Sequence, residues 1–422
     1  MSRRFRLVCL PALVFLCSHG IGVVHGQQPE VVSRLMESGA VRSALQTAKD
    51  NEPQTIEQQI RFCEVPAPPF NETARGLVLK RAFEEAGLEN VRVDRVGNVL
   101  GDRPGASSRP RTVIAAHLDT VFPEGTDVRV KRDGAVLRGP GIGDDCRGLA
   151  VLLAIVRALR QARVETPRTI TFVANVGEEG LGDLRGVKEL FSATLKDQID
   201  RFVSIDGTGL SITNVAVGSH RYRVTFKGPG GHSFGAFGLA NPANALGRAV
   251  AKIAEFEVPS VPRTTFNVGR IGGGTSVNSI PFESWMEVDM RSSDPAALAA
   301  LDGKFQKAVD AAVAEENARW GKRQTITVVK DLVGDRPAGS TPASAPIVQT
   351  AQAVTRALGF ETRMSEGSTD ANVPMSLKIP AITISGGGRG SDAHAPSESF
   401  DTTDSWKGTQ NAILLAIALA QN

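Results

Sequence analysis

His117 and Asp119 end the apolar run T-V-I-A-A-H-L-D-T at 112–120, a histidine and a carboxylate where a buried strand should stop. At the end of a buried strand, residues two apart project to the same side. A metal site uses that geometry, because a ligating imidazole needs an acceptor on its other ring nitrogen to fix its tautomer. Alone, a His-x-Asp would be an ordinary surface pair. The pattern recurs, however. Glu178 and Glu179 follow the strand-like stretch 169–175, Asp206 ends the stretch 202–206, and His394 follows the buried stretch 379–384. Asp144 and Asp145 stand between a glycine-rich turn at 139–148 and an apolar helix. Singly, each has a bland account: Asp144 could cap that helix, Glu178 and Glu179 could form a solvated loop, and His394 could be a plain loop histidine. Together they are carboxylates at the ends of successive buried strands, which bound cations would compensate. Two imidazoles and several carboxylates suit a pair of divalent ions, zinc first, with manganese or cobalt as alternatives. Neighbours on extended backbone point to opposite sides, so one of Glu178 and Glu179 can ligate while the other faces a substrate. Two ions, a bridging water and a free carboxylate acting as general base make a hydrolytic centre.

Periodicity indicates the strands and helices around these groups. Residues 77–86 have helical spacing and stop at Gly87, and 91–96 alternate like a half-exposed strand. Buried strands at 112–117, 169–175, 202–206 and 379–384 alternate with helices at 149–158, from 347 to Gly359, and at 405–420. Strands separated by helices predict an α/β fold with a mostly parallel sheet, whose ligands gather at the carboxyl ends of the strands. Between 214 and 330 the texture changes to a β-α-β-β-α-β order, the pattern of a ferredoxin-like α+β unit. The expected organisation is a catalytic domain of 27–213 and 331–422 with an inserted lid or dimerisation domain at 214–330.

Residues 1–6 are basic and 7–17 apolar, with small residues before Gln27, so 1–26 read as a signal peptide; the run is too short to span a bilayer. A secreted or periplasmic protein is the expectation. The formal charge of +3 comes from 48 basic and 45 acidic residues. Arg3, Arg4 and Arg6 leave with the signal, so the remainder is neutral and argues against a nucleic-acid or anionic-membrane partner. Cys63 and Cys146, the cysteines that remain, are far apart in sequence and make no disulfide framework. The turn G-P-G-I-G-D at 139–144 lacks the dinucleotide fingerprint, and no phosphate loop is present.

The set H117-L-D-T-V, G143-D-D-C-R-G, G177-E-E-G, I205-D-G, G230-G-H-S, N278-S-I-P, D289-M-R, S368-T-D-A and H394-A-P-S-E resembles the M20 family of two-zinc peptidases and amidohydrolases, its peptidase-T-like members in particular. By that resemblance His117 and Asp206 would hold one zinc, Glu179 and His394 the other, and Asp144 would bridge them. Glu178 would be the catalytic base and Asp119 the residue that orients His117. His232 would polarise the scissile carbonyl, often from a partner subunit, and Asn278 and Arg291 would contact substrate. The resemblance implies hydrolysis of short peptides of the aminopeptidase or dipeptidase kind. Alternatives are a carboxypeptidase, an N-acyl-amino-acid hydrolase, or a non-catalytic metal-binding protein on the same scaffold. A homodimer through the lid is expected if His232 acts in trans. Cys146 and Arg147 stand where the family usually has a lysine and its neighbour, which leaves the lysine's role open. Cys146 itself reads as a small packed residue.

Overall fold

The computed structural model describes residues 27–321, 324–361 and 363–421; the expected signal segment, 1–26, lies outside the described residues. Four parallel strands form the centre of a nine-stranded sheet, in the order Arg168–Asn175, Ser107–His117, Arg201–Ile205 and Ala381–Ile384. From Thr112 on in the second of them, and over nearly their whole length in the others, they are rich in Val, Ile, Thr, Phe and Ala and buried, as strands covered on both faces must be. The flanks are mostly antiparallel. Val99–Arg103 and Glu89–Val93 extend one side, and Ser211–Ala216 the other. The sheet is therefore mixed, with its parallel part where the site residues are.

Helices cover both faces. On one, Gly39–Asp50, Cys146–Gln161, Pro346–Ala357 and Trp406–Leu419 close over the sheet with Leu45, Leu152, Val156, Val354 and Ile413. On the other, Leu184, Val187, Leu190, Val373 and Met375 do so. Each such side chain contributes about 1.5–3 kcal/mol when fully buried, so the sheet is a stiff platform for whatever its strand ends carry. Thr73–Ala86 stops at Gly87, whose φ of 85° suits a residue without a Cβ.

The β-α-β-β-α-β stretch folds as a second, four-stranded antiparallel sheet in the order Thr264–Gly273, Glu283–Ser292, Gly218–Lys227, Thr327–Arg336. Pro242–Ala254 and Pro295–Arg319 pack on one face of it around Val224, Phe226, Met286, Met290 and Phe305. Its limits differ from the expected 214 and 330. Ser211–Ala216 pairs with Ala381–Ile384 in the large sheet, so the small sheet begins at Gly218 and ends at Arg336. Alternation alone could not separate two consecutive strands that join different sheets.

A third, small antiparallel sheet was not foreseen. It pairs Arg389–Ser391 with Ser399–Asp401, and the latter with Val136–Arg138. This draws the 392–398 loop against the glycine turn that starts at Gly139.

Candidate metal centre

Because the four central strands run the same way, their carboxyl ends deliver His117, the Gly177–Glu178–Glu179 turn and Asp206 to one rim of the sheet. The glycine turn adds Asp144 and the 392–398 loop adds His394. Three groups of donor atoms lie within 4.8 Å of one another: His117, Asp144 and Asp206; Asp144, Glu179 and His394; and His117, Glu178 and Glu179. Asp144 is central. Its Oδ1 is 3.0 Å from His117 Nε2 and its Oδ2 3.1 Å from His394 Nε2, and His394 Nε2 is 3.0 Å from Glu179 Oε1. The helix that follows is capped by Asp145, whose Oδ1 accepts from Gly148 N at 3.0 Å, so Asp144 is free of the capping role. A Cβ on Gly148 would lie 2.2 Å from that oxygen, which is why the first turn needs glycine there.

The glycine turn is held from below by Glu398. Its carboxylate accepts from Gly141 and Gly143 N, both at 2.8 Å, and from Asp144 N at 3.1 Å. One end of the H394-A-P-S-E run thus brings a donor to the cluster and the other fixes the backbone of Asp144. Burial pushes the Glu398 carboxyl up to about 7, against the pull of those amides.

Asp119 differs from the expectation. The group that fixes His117 Nδ1 is the main-chain carbonyl of Asp119, at 3.0 Å, while the carboxylate stands 3.7 Å away. That carboxylate accepts instead from Glu178 N at 2.9 Å and Glu179 N at 2.8 Å. Its work is to clamp the turn that carries both glutamates, because two adjacent amides offer a carboxylate better-aligned donors than a ring already served by a carbonyl.

Glu178 is buried, and its Oε1 accepts from Arg336 Nη1 at 2.9 Å. Burial raises its pKa well above the usual carboxylate range, opposed by Arg336 and helped by Glu179. Asp206 is raised to about 7 by burial and then by the charge of Asp144. Asp370, whose Oδ2 accepts from Asn175 Nδ2 at 2.8 Å, is raised to about 6 by burial, and its Oδ1 has no hydrogen-bond partner among the described residues. So many buried carboxylates with so little compensation form a site that favours cations, and an N/O set of two imidazoles with carboxylates fits divalent metals such as zinc.

Asp144, Glu178, Glu179, Asp206 and His394 line a cavity of about 340 Å³ together with Arg221, Arg291 and Arg336. Arg291 Nε donates to Asp289 Oδ2 at 2.7 Å and Arg221 Nε to Asp289 Oδ1 at 2.9 Å, so two guanidiniums share one carboxylate. His232 and Asn278 are brought together at the edge of a separate two-stranded ribbon, Gly231–His232 with Ser279–Ile280, where Ser233 N donates to the Asn278 carbonyl at 2.9 Å, but neither lines this cavity. The His232 Nδ1 accepts from Phe234 and Gly235 N, which leaves its proton on Nε2. Exposed Phe234, Phe237 and Val277 surround that edge.

Arg147 is fully buried. Its guanidinium meets Glu52 Oε1 at 2.7 Å and donates to the carbonyls of Gly386 and Ser405 and to Thr409 Oγ1. At this position the chain carries a core tie between the N-terminal and C-terminal helices. Cys146 is buried in one apolar cluster with Cys63, far from it in sequence, whose thiol donates to the Pro140 carbonyl.

Sequence reasoning missed Arg336, Arg221 and the parts played by Asp370 and Glu398. The last two lie in runs singled out above; the arginines end or begin exposed-looking strands and carry no local signal.

Comparison with known proteins agrees with this architecture. Succinyl-diaminopimelate desuccinylase of Corynebacterium glutamicum is 25% identical over 351 residues, 80% of this chain and 89% of the relative. A tripeptidase from Staphylococcus aureus shares the fold with a TM-score of 0.72 at 22% identity, over 88% of this chain and 99% of the other. The YXEP protein of Bacillus subtilis, a dinuclear metal-binding peptidase, does so with a TM-score of 0.66 at 19% identity, over 88% and 99%. The profile of peptidase family M20/M25/M40 matches residues 113–418, and the chain belongs to that family of hydrolases acting on amide bonds.

Proposed function

We propose that the chain is a two-metal peptidase that releases amino acids from short peptides, with Glu178 as general base. The observation that carries the reading is Asp144, which turns one oxygen to His117 and the other to His394. In this reading His117 and Asp206 hold one cation, Glu179 and His394 the other, and Asp144 spans both. Divalent cations held there would supply Lewis acidity toward an amide carbonyl and lower the pKa of water. Glu178 takes the proton of the attacking water and passes it to the leaving amine. The Arg221–Asp289–Arg291 trio carries one positive charge in excess, which suits the single carboxylate of a small peptide. His232 and Asn278 lie outside the cavity of their own chain, and the exposed apolar side chains beside them fit a homodimer in which His232 of the partner subunit donates its Nε2 proton to the carbonyl. Residues 1–26 act as an export signal that is removed, giving a secreted or periplasmic enzyme; the N-terminal mass of protein recovered from outside the cytoplasm tests this, with Gln27 first as the expected result.

The second reading, an N-acyl-amino-acid hydrolase, is favoured by the desuccinylase relative. An N-acyl amino acid presents the same carboxylate to Arg221 and Arg291, so the cavity serves both. A panel of free dipeptides and tripeptides, N-blocked dipeptides and N-acyl amino acids, given to zinc-loaded protein, separates them. Cleavage confined to peptides with a free amino end supports the peptidase, and cleavage confined to acylated substrates replaces it.

A further inference from the structure

We infer that Arg336 is the positioning residue for Glu178, an inference that rests on the reading of Glu178 as the base. Arg336 is the last residue of the strand by which the chain leaves the small sheet, and it pairs with Ser219, next to the point of entry. Its guanidinium turns away from that sheet and is buried at the metal rim, 4% exposed. Nη1 donates to Glu178 Oε1 at 2.9 Å and to Ser368 Oγ at 3.2 Å, and Nη2 donates to the main-chain carbonyl of Glu178. One planar fork therefore holds both the carboxylate and the peptide of the same residue. Since the Glu178 amide is already bound by Asp119, the backbone of Glu178 is fixed at its N–H and its C=O, and its side chain at the tip. A lysine, with a compact charge on a flexible stem, could reach one of these points but not define the plane.

The same hinge is tied down on its other side. Asn372 Nδ2 donates to the carbonyls of Val217 and Pro337, at 2.9 and 3.0 Å, so one buried amide grips both crossings between the two sheets. Asp335 N donates to Asp183 Oδ1 at 2.8 Å, just beyond the glutamate turn. The seat of Glu178 is thus set from the segment that also sets where the small sheet lies. None of these bonds reaches His117, Asp144, Glu179, Asp206 or His394. Loss of Arg336 should therefore displace Glu178 while the cation donors stay in place, and a misplacement of about 1 Å costs about 10²-fold in rate.

The experiment compares wild type, Arg336→Ala and Arg336→Lys as zinc-loaded full chains. It reads bound metal, kcat and KM on a substrate the wild type cleaves, rescue by added guanidinium ion, and amide exchange over residues 178–182. The expected result for Arg336→Ala is two metals bound, kcat lowered about 10²-fold with KM changed less than about threefold, partial recovery with guanidinium, and faster exchange. Arg336→Lys, which keeps the charge if the alanine variant does not fold, should fall between it and wild type. Unchanged kcat and exchange would overturn the inference, as would loss of metal in step with loss of rate, which would make Arg336 a support of the cation donors. If wild type cleaves no amide, the function fails separately. The exchange arm then still decides: protection lost in Arg336→Ala and kept in Arg336→Lys supports positioning, and equal protection in all three refutes it.

Discussion

Replacing Asp119 by asparagine separates the clamp seen in the structure from direct orientation of His117. The side chains have nearly the same shape, and Asp119 is fully buried. Its two oxygens each accept one amide, from Glu178 at 2.9 Å and Glu179 at 2.8 Å. An asparagine can serve one of them with its oxygen, but its NH2 then faces the other N–H. The variant loses one charge-assisted hydrogen bond, about 1.5–3 kcal/mol, and strands a buried donor, about 1–3 kcal/mol. Roughly 2.5–6 kcal/mol is thus lost locally, and the turn relieves part of it by moving Glu178, while Glu179 is held by the cation it binds. At about 1.4 kcal/mol per tenfold, a shift that takes most of that strain lowers kcat by about 10²–10³-fold. His117 is unaffected, because its Nδ1 partner is the main-chain carbonyl, which asparagine retains. The assay is denaturant unfolding, bound metal and kcat on the same preparations. The expected outcome is a lower midpoint and kcat with two metals still bound. An Asp119→Asn protein that keeps its kcat but binds metal about 10–100-fold more weakly would refute the clamp and restore the carboxylate as the orienter of His117.

Metal affinity should fall with acidity. Asp206 in the metal-free protein titrates at about 7, well above its ordinary value, so below pH 7 a proton must leave before a cation binds, and the apparent affinity should drop about tenfold per pH unit for that one proton. The same raised pKa means that the charged Asp206 destabilises the metal-free fold: stability from this group is present below its ordinary value and is lost as pH rises toward 7. Calorimetric metal titration in buffers of different ionisation enthalpy measures the proton released, and a pH-independent affinity would contradict the prediction. Arg147→Met leaves Glu52 buried without its partner and should cost about 3–5 kcal/mol in denaturant unfolding, with metal content unchanged. A loss under about 1 kcal/mol would show that the pair is not a core tie. Mixing Glu178→Gln and His232→Ala chains, each inactive, should recover about a quarter of wild-type activity if His232 acts across a dimer, since half the mixed dimers are hybrids with one intact site in two. No recovery from dimers shown to exchange subunits would place His232 in its own chain's site.

The strand ends were legible because burial and charge collide there. An apolar run that stops at a histidine or a carboxylate, as at His117, Glu178 and Asp206, shows its register and its rim in the local pattern, and parallel strands then bring those rims together. Asp144 was ambiguous in sequence, because it could have capped the helix; the hydrogen bond to Gly148 assigns the cap to its neighbour Asp145. The carboxylate of Asp119 faced two competing donors, a ring and a pair of amides, and spacing says nothing of which is better aligned. Arg336 was invisible for another reason. Its partner is 158 residues away, and at the end of an alternating strand it reads like any surface arginine. The entry into the small sheet was misplaced because Ser211–Ala216 and Gly218–Lys227 are consecutive strands whose difference lies in what they pair with. The cluster shared by Cys63 and Cys146, like the tie from Arg147 to Glu52, joins segments that only the packing of Glu52–Cys63 against Cys146–Gln161 brings side by side.

The most direct test of the account is turnover by zinc-loaded wild type and Glu178→Gln, on whichever peptide the panel shows to be cleaved, with bound metal counted in both. Two metals in each protein and a kcat lowered by about 10²–10⁴-fold in the variant is the predicted result, because the cluster holds the cations without Glu178 and the base is what the substitution removes. Equal turnover with both metals in place would contradict the assignment of Glu178, and loss of a metal from the variant would make Glu178 a ligand and Glu179 the candidate base.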